Sequence, residues 1–331
     1  MHGFTRNLIT EWRRLGLPFG DETVVVAVSG GADSLSLLLG MQELRQREKL
    51  AVRLVAAHFN HGIRDGESDA DEDFVRKLAI ERKIELAVGH GKVSREGNLE
   101  QNARLARYEF LKTTAENLNA HCVLTGHTIN DQAETFLLNL IRGSGPDGLS
   151  GMTAVRNLGS ETATLLVRPM LTWAKRSDTE GYCHDLGVEY RYDTMNEDTA
   201  FKRVRIRKIL LPLLEDFNPH IIETLANTAA LMQQLPKSTE QGNRLELGDE
   251  LLLGDLKQLS EADLKGLIRD WLGRHRGSTR QLALKHIEAV ARLIVSTKSG
   301  RNVELPGGQV IKTGGRLVYK ENKVEKKGLD I

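Results

Sequence analysis

From Thr23 onward the chain alternates short runs of β-branched and apolar residues with longer stretches whose apolar positions recur every three or four residues. Continuous apolar runs suit strands buried on both faces, and the three-to-four spacing suits helices laid against a sheet. Strands are predicted at 23–28, 52–58, 84–88, 122–126 and 165–167, and helices at 35–45, 69–82, 99–117 and 131–141. Strands alternating with helices indicate βαβ units, which close right-handed around a parallel sheet, so the fold class is α/β.

After about Ile206 the text turns helix-rich, with ILLPLLEDF and IIETLANTAALMQQL, and then polar, with PKSTEQGN reading as a linker. Beyond it, helices are predicted at 261–274 and 281–296. The segment VELPGGQVIKTGGRLVYK, whose two Gly-Gly pairs mark turns, predicts a β-hairpin. The final ENKVEKKGLDI reads as a solvated tail, and no internal repeat is present, which excludes solenoids.

Composition narrows the classes. At 331 residues and roughly 150 per domain, about two domains are expected. Lys plus Arg (46) against Asp plus Glu (45) leaves +1, so any affinity for a polyanion has to be local. The two cysteines, Cys122 and Cys183, have no C-x-x-C spacing and support neither a disulfide framework nor a thiolate metal site. That fits a reducing compartment. The N-terminus lacks a signal-peptide h-region and no 18-residue apolar run occurs, so a cytoplasmic protein without membrane association is expected.

The chemistry starts in VVVAVSGGADSLSLLL. A strand runs into Ser29-Gly30-Gly31-Ala32-Asp33-Ser34 and then into a helix. Glycines let the backbone approach phosphate oxygens, successive N–H groups form a nest, and the helix N-terminus favours negative charge. Ser29 and Ser34 add hydroxyls, and Asp33 is better suited to a divalent ion. There is no G-x-x-x-x-G-K-[ST] and no G-x-G-x-x-G, which excludes the Walker loop and leaves a dinucleotide fingerprint without support. An Asp/Ser helix cap on a tight glycine turn is the plain alternative.

This segment resembles the SGGxDS loop of the N-type ATP pyrophosphatases, or PP-loop family, which holds the pyrophosphate of ATP while a substrate oxygen is adenylated. Four further segments resemble one branch, the tRNA(Ile)-lysidine synthetases. AAHFNHGIR carries His58, His61 and Arg64 at a strand's carboxyl end, where open α/β sheets bind ligands. There His61 and Arg64 could reach a nucleotide. A zinc site from His58, His61 and His127 lacks any Cys or H-E-x-x-H context, and histidines bonded to backbone are the simpler alternative. NLEQNARLARYEFL sets Glu100, Arg104 and Arg107 on one helix face, and the resemblance turns both arginines toward nucleotide phosphates or the adenylate.

LTGHTINDQAETF resembles the branch's GHxxDDxxET pattern, with Asn130 in place of the first Asp. Asp131 and Glu134, three apart on a helix, project together and could bind Mg²⁺ or an ammonium group. Lys202, Arg203, Arg205, Arg207 and Lys208 form a run of five cations without an acid, resembling the branch's D-x-x-N-x-x-x-x-x-R-x-x-I-R segment together with Asp193 and Asn196. Contact with tRNA phosphates is its expected use.

The resemblance implies a Rossmann-like parallel sheet with a PP-loop in a catalytic domain at 1–215, and a smaller, mainly helical tRNA-binding domain at 216–331. It implies a ligase that uses ATP to join free L-lysine to C2 of the wobble cytidine in the CAU anticodon of tRNA(Ile), through an adenylated cytidine. Ser29, Gly30, Gly31, Ala32, Asp33, Ser34, His58, His61 and Arg64 would bind ATP. Asp33 and Asp131 would hold Mg²⁺, and Asp33, Arg104, Arg107, His127, Asp131 and Glu134 would carry catalysis, with His127 as a base. A homodimer, and absence of the additional C-terminal domain of longer members, are further expectations. A tRNA thiolase of the same loop family, and a noncatalytic nucleotide- or tRNA-binding protein, are the alternatives.

Overall fold

The computed structural model describes residues 1–62, 66–91, 99–159, 163–192, 197–235, 248–256, 258–277, 282–296 and 300–321. The chain divides into two compact units, Met1–Gln233 and Gln234–Ile331.

In the first unit the apolar run Thr23–Ala27 forms β1, whose central valines are fully buried because helices cover both of its faces. Around it are β2 (Arg53–Asn60), β3 (Glu85–His90), β4 (Cys122–Leu124), β5 (Val155–Asn157) and β6 (Leu165–Val167). Their order is β3-β2-β1-β4-β6-β5, all parallel except β5, which runs antiparallel to β6. The chain moves outward from β1 to β2 and β3, then returns to its other side as β4. The carboxyl ends of β1 and β4 therefore diverge into a crevice, the usual ligand position in such sheets.

Helices α1 (Gly3–Arg14), α2 (Ala32–Gln46) and α7 (Arg176–Asp185) share one core with the sheet, built from Leu8, Trp12, Leu38, Val24, Val26 and Tyr182. Helix α4 (Leu99–Asn117) packs Leu111 and Ala115 with Val25, Val55 and Leu166 in another. The flanking α3 (Glu67–Arg82) completes the β2 to β3 crossover. Helix α1 is not among the elements expected from the sequence. Its apolar Phe4, Leu8, Ile9 and Trp12 keep helical spacing, but a 12-residue segment with no strand before it gives little signal.

Helix α5 (Ile129–Ile141) leads through the short α6 (Pro146–Leu149) toward β5. The basic run then forms one continuous helix: α8 (Lys202–Arg205), a π-turn at Ile206–Leu210, and α9 (Leu211–Phe217). The Leu211 amide reaches back to Ile206 O, and the next residue, Pro212, has no N–H to restore the tighter ladder. Helix α10 (Ile221–Gln234) follows. Ile222, Leu225 and Ala229 share a core with Ala133, Phe136 and Ile206, which places α10 in the first unit rather than opening the second at residue 216.

The second unit holds helices Glu261–Arg276 and Leu284–Val295 and a four-stranded antiparallel sheet ordered β7-β10-β9-β8. Its strands are β7 (Glu250–Leu252), β8 (Asn302–Leu305), β9 (Gly308–Thr313) and β10 (Arg316–Glu321). The expected hairpin is present as β9–β10, its turn formed by Gly314 and Gly315, both at positive φ. The reading as mainly helical stands beside a full sheet layer, whose Val310 and Leu317 pack with Trp271, Ile268 and Val290. Lys312, buried on β9, donates from Nζ to Leu293 O and Ile294 O at 2.9 and 3.2 Å, neutralising the carbonyl end of the helix at 284–295. The expected linker at PKSTEQGN lies outside the described residues. Among the described residues no helix is long and apolar enough to cross a membrane.

Both cysteines are fully buried, and burial pushes the Cys122 thiol up to about 12 and that of Cys183 up to about 11. Thiolates are the reactive form. Neither thiol is therefore expected to react with a disulfide reagent at pH 8 in the folded protein, while both react in denaturant; rapid native labelling of either would contradict this burial.

Candidate active site

Strand β1 hands the chain to the loop at Ser29–Gly31, and α2 starts at Ala32. Gly30 takes φ +91°, which a side chain would strain, and its carbonyl accepts from the Arg191 amide at 2.9 Å. Ser34 Oγ accepts from the Ser29 amide at 3.1 Å and donates to Gly31 O at 3.0 Å, closing the loop into a fixed cradle. The loop also leans on β4. A Cβ at Gly126 would lie 2.7 to 2.9 Å from the backbone of Asp33 and Ser34, so only glycine lets these two segments touch.

The crevice is a cavity of about 570 Å³. Of the residues singled out in sequence, Ser29, Gly31, Ala32, Asp33 and Ser34 line it from β1, and His58 and His61 from β2. Arg107, His127, Asp131, Arg207 and Lys208 also face it, whereas Arg104, Glu134, Lys202, Arg203 and Arg205 are not among its walls. Arg64, Asp193 and Asn196 lie outside the described residues, as does the Glu100 side chain.

His58 is buried, with Nδ1 2.9 Å from Val28 O, and burial lowers its pKa, so it is a neutral imidazole bonded to backbone. His127 is half-buried, with Nδ1 2.9 Å from Thr125 Oγ1. Burial pushes its pKa down; Asp131 opposes this, while Arg168, Arg107 and Arg203 reinforce it. In the free protein it is accordingly neutral and a weaker base than an ordinary histidine, which departs from the expectation of a base tuned near neutrality.

The principal correction concerns the carboxylates of α5. Glu134 is fully buried. Its Oε1 accepts from Arg207 Nε at 2.7 Å and its Oε2 from Arg203 Nε at 2.7 Å, with Arg176 at 3.4 Å. Three guanidinia thus enclose one carboxylate, leaving it no open oxygen for an incoming amine. Asp131 Oδ2 accepts from the Thr128 amide at 2.9 Å, and its Oδ1 from Arg203 at 3.1 Å. Burial opposes the charge on Asp131, but Arg203, His127 and Arg176 hold its pKa low. Arg203 and Arg207 are therefore internal partners of acids rather than free cations of a tRNA-facing surface, while Lys202, Arg205 and Lys208 are exposed.

Arg176 was not singled out in sequence. It opens α7, where its amide donates to Asn130 Oδ1 at 3.0 Å, giving a use to the one position that departs from the GHxxDDxxET pattern. Its guanidinium lies among three carboxylates, 3.7 Å from Asp33 Oδ2, 3.6 Å from Asp131 Oδ1 and 3.4 Å from Glu134 Oε1. No motif flags a lone arginine, and its partners come from two distant segments.

Asp33 accepts from the buried Thr179 hydroxyl at 2.5 Å through Oδ1, and its Oδ2 faces Arg176. Burial raises its pKa to about 6, reinforced by Asp131 and opposed by Thr179 and Arg176. As a metal site the donor set is limited: among the described residues no group of three His, Cys, Asp or Glu is arranged to hold an ion. Both carboxylates line the cavity, and Asp33 is the more open of the two, its side chain 28% exposed against 13% for Asp131. Mg²⁺ commonly takes one or two protein carboxylates and draws its other ligands from phosphates and water, which Asp33 alone satisfies.

The comparisons agree with this geometry. Residues 5–214 match the family model described as a PP-loop domain, and residues 251–318 match the TilS substrate binding domain. A tRNA(Ile)-lysidine synthase of Salinispora tropica is 35% identical over 89% of this chain and 89% of its own length, and one of Nostoc sp. is 32% identical over 92% of each. The chain belongs to the tRNA(Ile)-lysidine synthase family. It spans 65% of the length of the synthase of Dehalococcoides mccartyi, to which it is 32% identical. The U34-tRNA thiolase NcsA of Methanococcus maripaludis shares the fold, with a TM-score of 0.59 over 71% of this chain and 80% of its own, at 17% identity. The Ser29 to Ser34 loop lies within the part of this synthase-family chain that matches the PP-loop domain.

Glu134→Ala strands three guanidinia and is expected to cost about 3–5 kcal/mol in denaturant unfolding, the loss typical of breaking a buried ion cluster from one side; a change below about 1 kcal/mol would contradict the cluster. Asp33 has a folded pKa above its unfolded 3.8, so the folded state binds the proton more tightly, and the resulting stability is lost as pH rises through about 6. In the presence of a chelator, Asp33→Asn is expected to raise the melting temperature at pH 7.5 and to do so much less at pH 4.

Proposed function

We propose that the chain converts the wobble cytidine of a CAU-bearing tRNA(Ile) to lysidine, using ATP and free lysine. The observation that carries the reading is the opening of the Ser29–Ser34 cradle into the same cavity as Asp33, Arg107, His127 and Arg176. A phosphate nest thus adjoins a cationic wall, as adenylation of a nucleobase requires.

In the first step the cytosine O2 attacks the α-phosphorus of ATP and pyrophosphate leaves. The Gly31 and Ala32 amides and the Ser29 hydroxyl receive the departing charge, in a frame that the Ser29 amide and the Ser34 hydroxyl fix before substrate arrives. Asp33 would hold Mg²⁺ against the phosphates, where the ion offsets their charge. Arg107 and Arg176 face the developing adenylate. Arg176 is held less tightly than Arg203 or Arg207, at 3.4 Å from Glu134 against 2.7 Å, which leaves it free to follow a phosphate.

In the second step the lysine ε-amine attacks C2 and AMP leaves. Asp131 and Glu134 act here by fixing Arg203, Arg207 and Arg176, and Asp131 adds negative potential that favours a cationic amine. An anionic adenylate beside His127 favours the imidazolium, so this histidine gains basicity once the intermediate forms and can accept the ammonium proton. Lys202 and Arg205, exposed on α8, are the residues of the basic run left to meet tRNA phosphates, Lys208 being paired with Glu197. The thiolase alternative is disfavoured by the burial of both thiols.

The test is incorporation of radiolabelled lysine into a tRNA(Ile) transcript with a CAU anticodon, in the presence of ATP and Mg²⁺, with a methionine tRNA as control. Incorporation confined to the isoleucine transcript, with AMP and pyrophosphate released, is expected. Pyrophosphate release without lysine transfer would retain the loop chemistry and overturn the nucleophile, and silence in both would point to a noncatalytic binder.

A further inference from the structure

Arg107, which faces the cavity, belongs to a larger group of arginines whose other members the reaction above does not use. The ring of Tyr108, on α4, has three guanidinium carbons near its centroid: Arg104 at 5.0 Å, Arg156 at 5.5 Å and Arg107 at 5.7 Å. Arg104 Nη2 also donates to the Tyr108 hydroxyl at 3.2 Å. Beside them Arg168, just past the carboxyl end of β6, is 3% exposed. Its Nη1 donates to Thr153 O at 2.7 Å, and its Nε is buried with no hydrogen-bond partner among the described residues. Arg156 comes from the paired strand β5, so three separate elements converge on one phenol.

Among the described residues none of these four arginines has a carboxylate within 4.0 Å, in contrast to Arg176, Arg203 and Arg207 on the other side of His127. Cation–π contacts offset part of the repulsion among them but supply no countercharge. The group is graded in depth: Arg168 is buried, Arg107 faces the cavity, and Arg104 and Arg156 are exposed. A single nucleotide phosphate would be met by a compact pocket. A file of guanidinia running from the cavity to the surface fits a chain of phosphates instead.

We infer that Arg104, Arg107 and Arg156, spaced by Tyr108 and backed by the buried Arg168, form a track for the phosphodiesters that flank the modified base, guiding the RNA strand into the cavity. This rests on the proposed function and adds to it a part of the RNA path within the first unit. Tyr108 acts as the hub that spaces the guanidinia.

Arg156 is exposed on an edge strand, so replacing it spares the core. Binding of the CAU-bearing tRNA(Ile) transcript is measured by titration at several salt concentrations, and the ATP KM at saturating RNA. Arg156→Gln is expected to raise the RNA Kd about ten-fold and to flatten the log–log salt slope by about 0.7 to 0.9, one phosphate contact, with the ATP KM within about two-fold of wild type. Arg156→Lys, which keeps the charge, should recover most of the affinity. Wild-type RNA affinity and salt slope in Arg156→Gln would overturn the track. A rise confined to the ATP KM would also overturn it and assign the group to the nucleotide. A wild-type protein that neither binds nor modifies the transcript would overturn the functional reading, and this inference with it.

Discussion

The first unit is organised around one buried negative charge. Glu134 has no exposure to water, and a carboxylate in that position is tolerable only because Arg203, Arg207 and Arg176 surround it. The guanidinia reach it from separate parts of the chain, two from the helix of the basic run and the third from the start of α7. Satisfying this acid therefore locks α5, α7 and α8 together around the crevice. The wall of the cavity and the stability of the unit are aspects of the same electrostatic knot.

That knot explains a division of labour between two kinds of arginine. On the α5 side the guanidinia are paired with acids and hold geometry; around Tyr108 they have no such partners among the described residues and lie against the phenol ring instead. His127 feels both, its pKa lowered first by burial and further by Arg168, Arg107 and Arg203, with Asp131 opposing. A nearly neutral chain can thus gather guanidinia in one place, because positive and negative residues are sorted in space rather than by number.

Local features were the legible ones. The Ser29–Ser34 loop is six consecutive residues whose conformation depends on their own glycines and hydroxyls, and it forms the strand-to-helix turn that the sequence suggested. The βαβ order was legible because strand and helix periods differ sharply. What the sequence concealed was pairing. Glu134 and its partners Arg203 and Arg207 lie about seventy positions apart, so the basic run showed its sign but not that two of its members turn inward. Arg176 and Arg168 belong to no dense pattern, and only the fold reveals that each reaches the crevice. Gly126 carried a partial signal as the glycine at a strand end, but the demand for it comes from Asp33, more than ninety residues earlier.

The π-turn at Ile206–Leu210 bears on how this arrangement can vary. One residue more in a turn shifts everything after it by about 100° around the helix axis relative to an ordinary ladder. Upstream and into the turn, the helix is phased for Arg203 and Arg207; downstream, it is phased for Leu211, which must meet the apolar side of α5 and α10. The bulge is the joint that lets one helix obey both phases. A lineage that lost a single residue here would have to choose between its ion cluster and its core, so length in this segment is more tightly constrained than the identity of its exposed side chains.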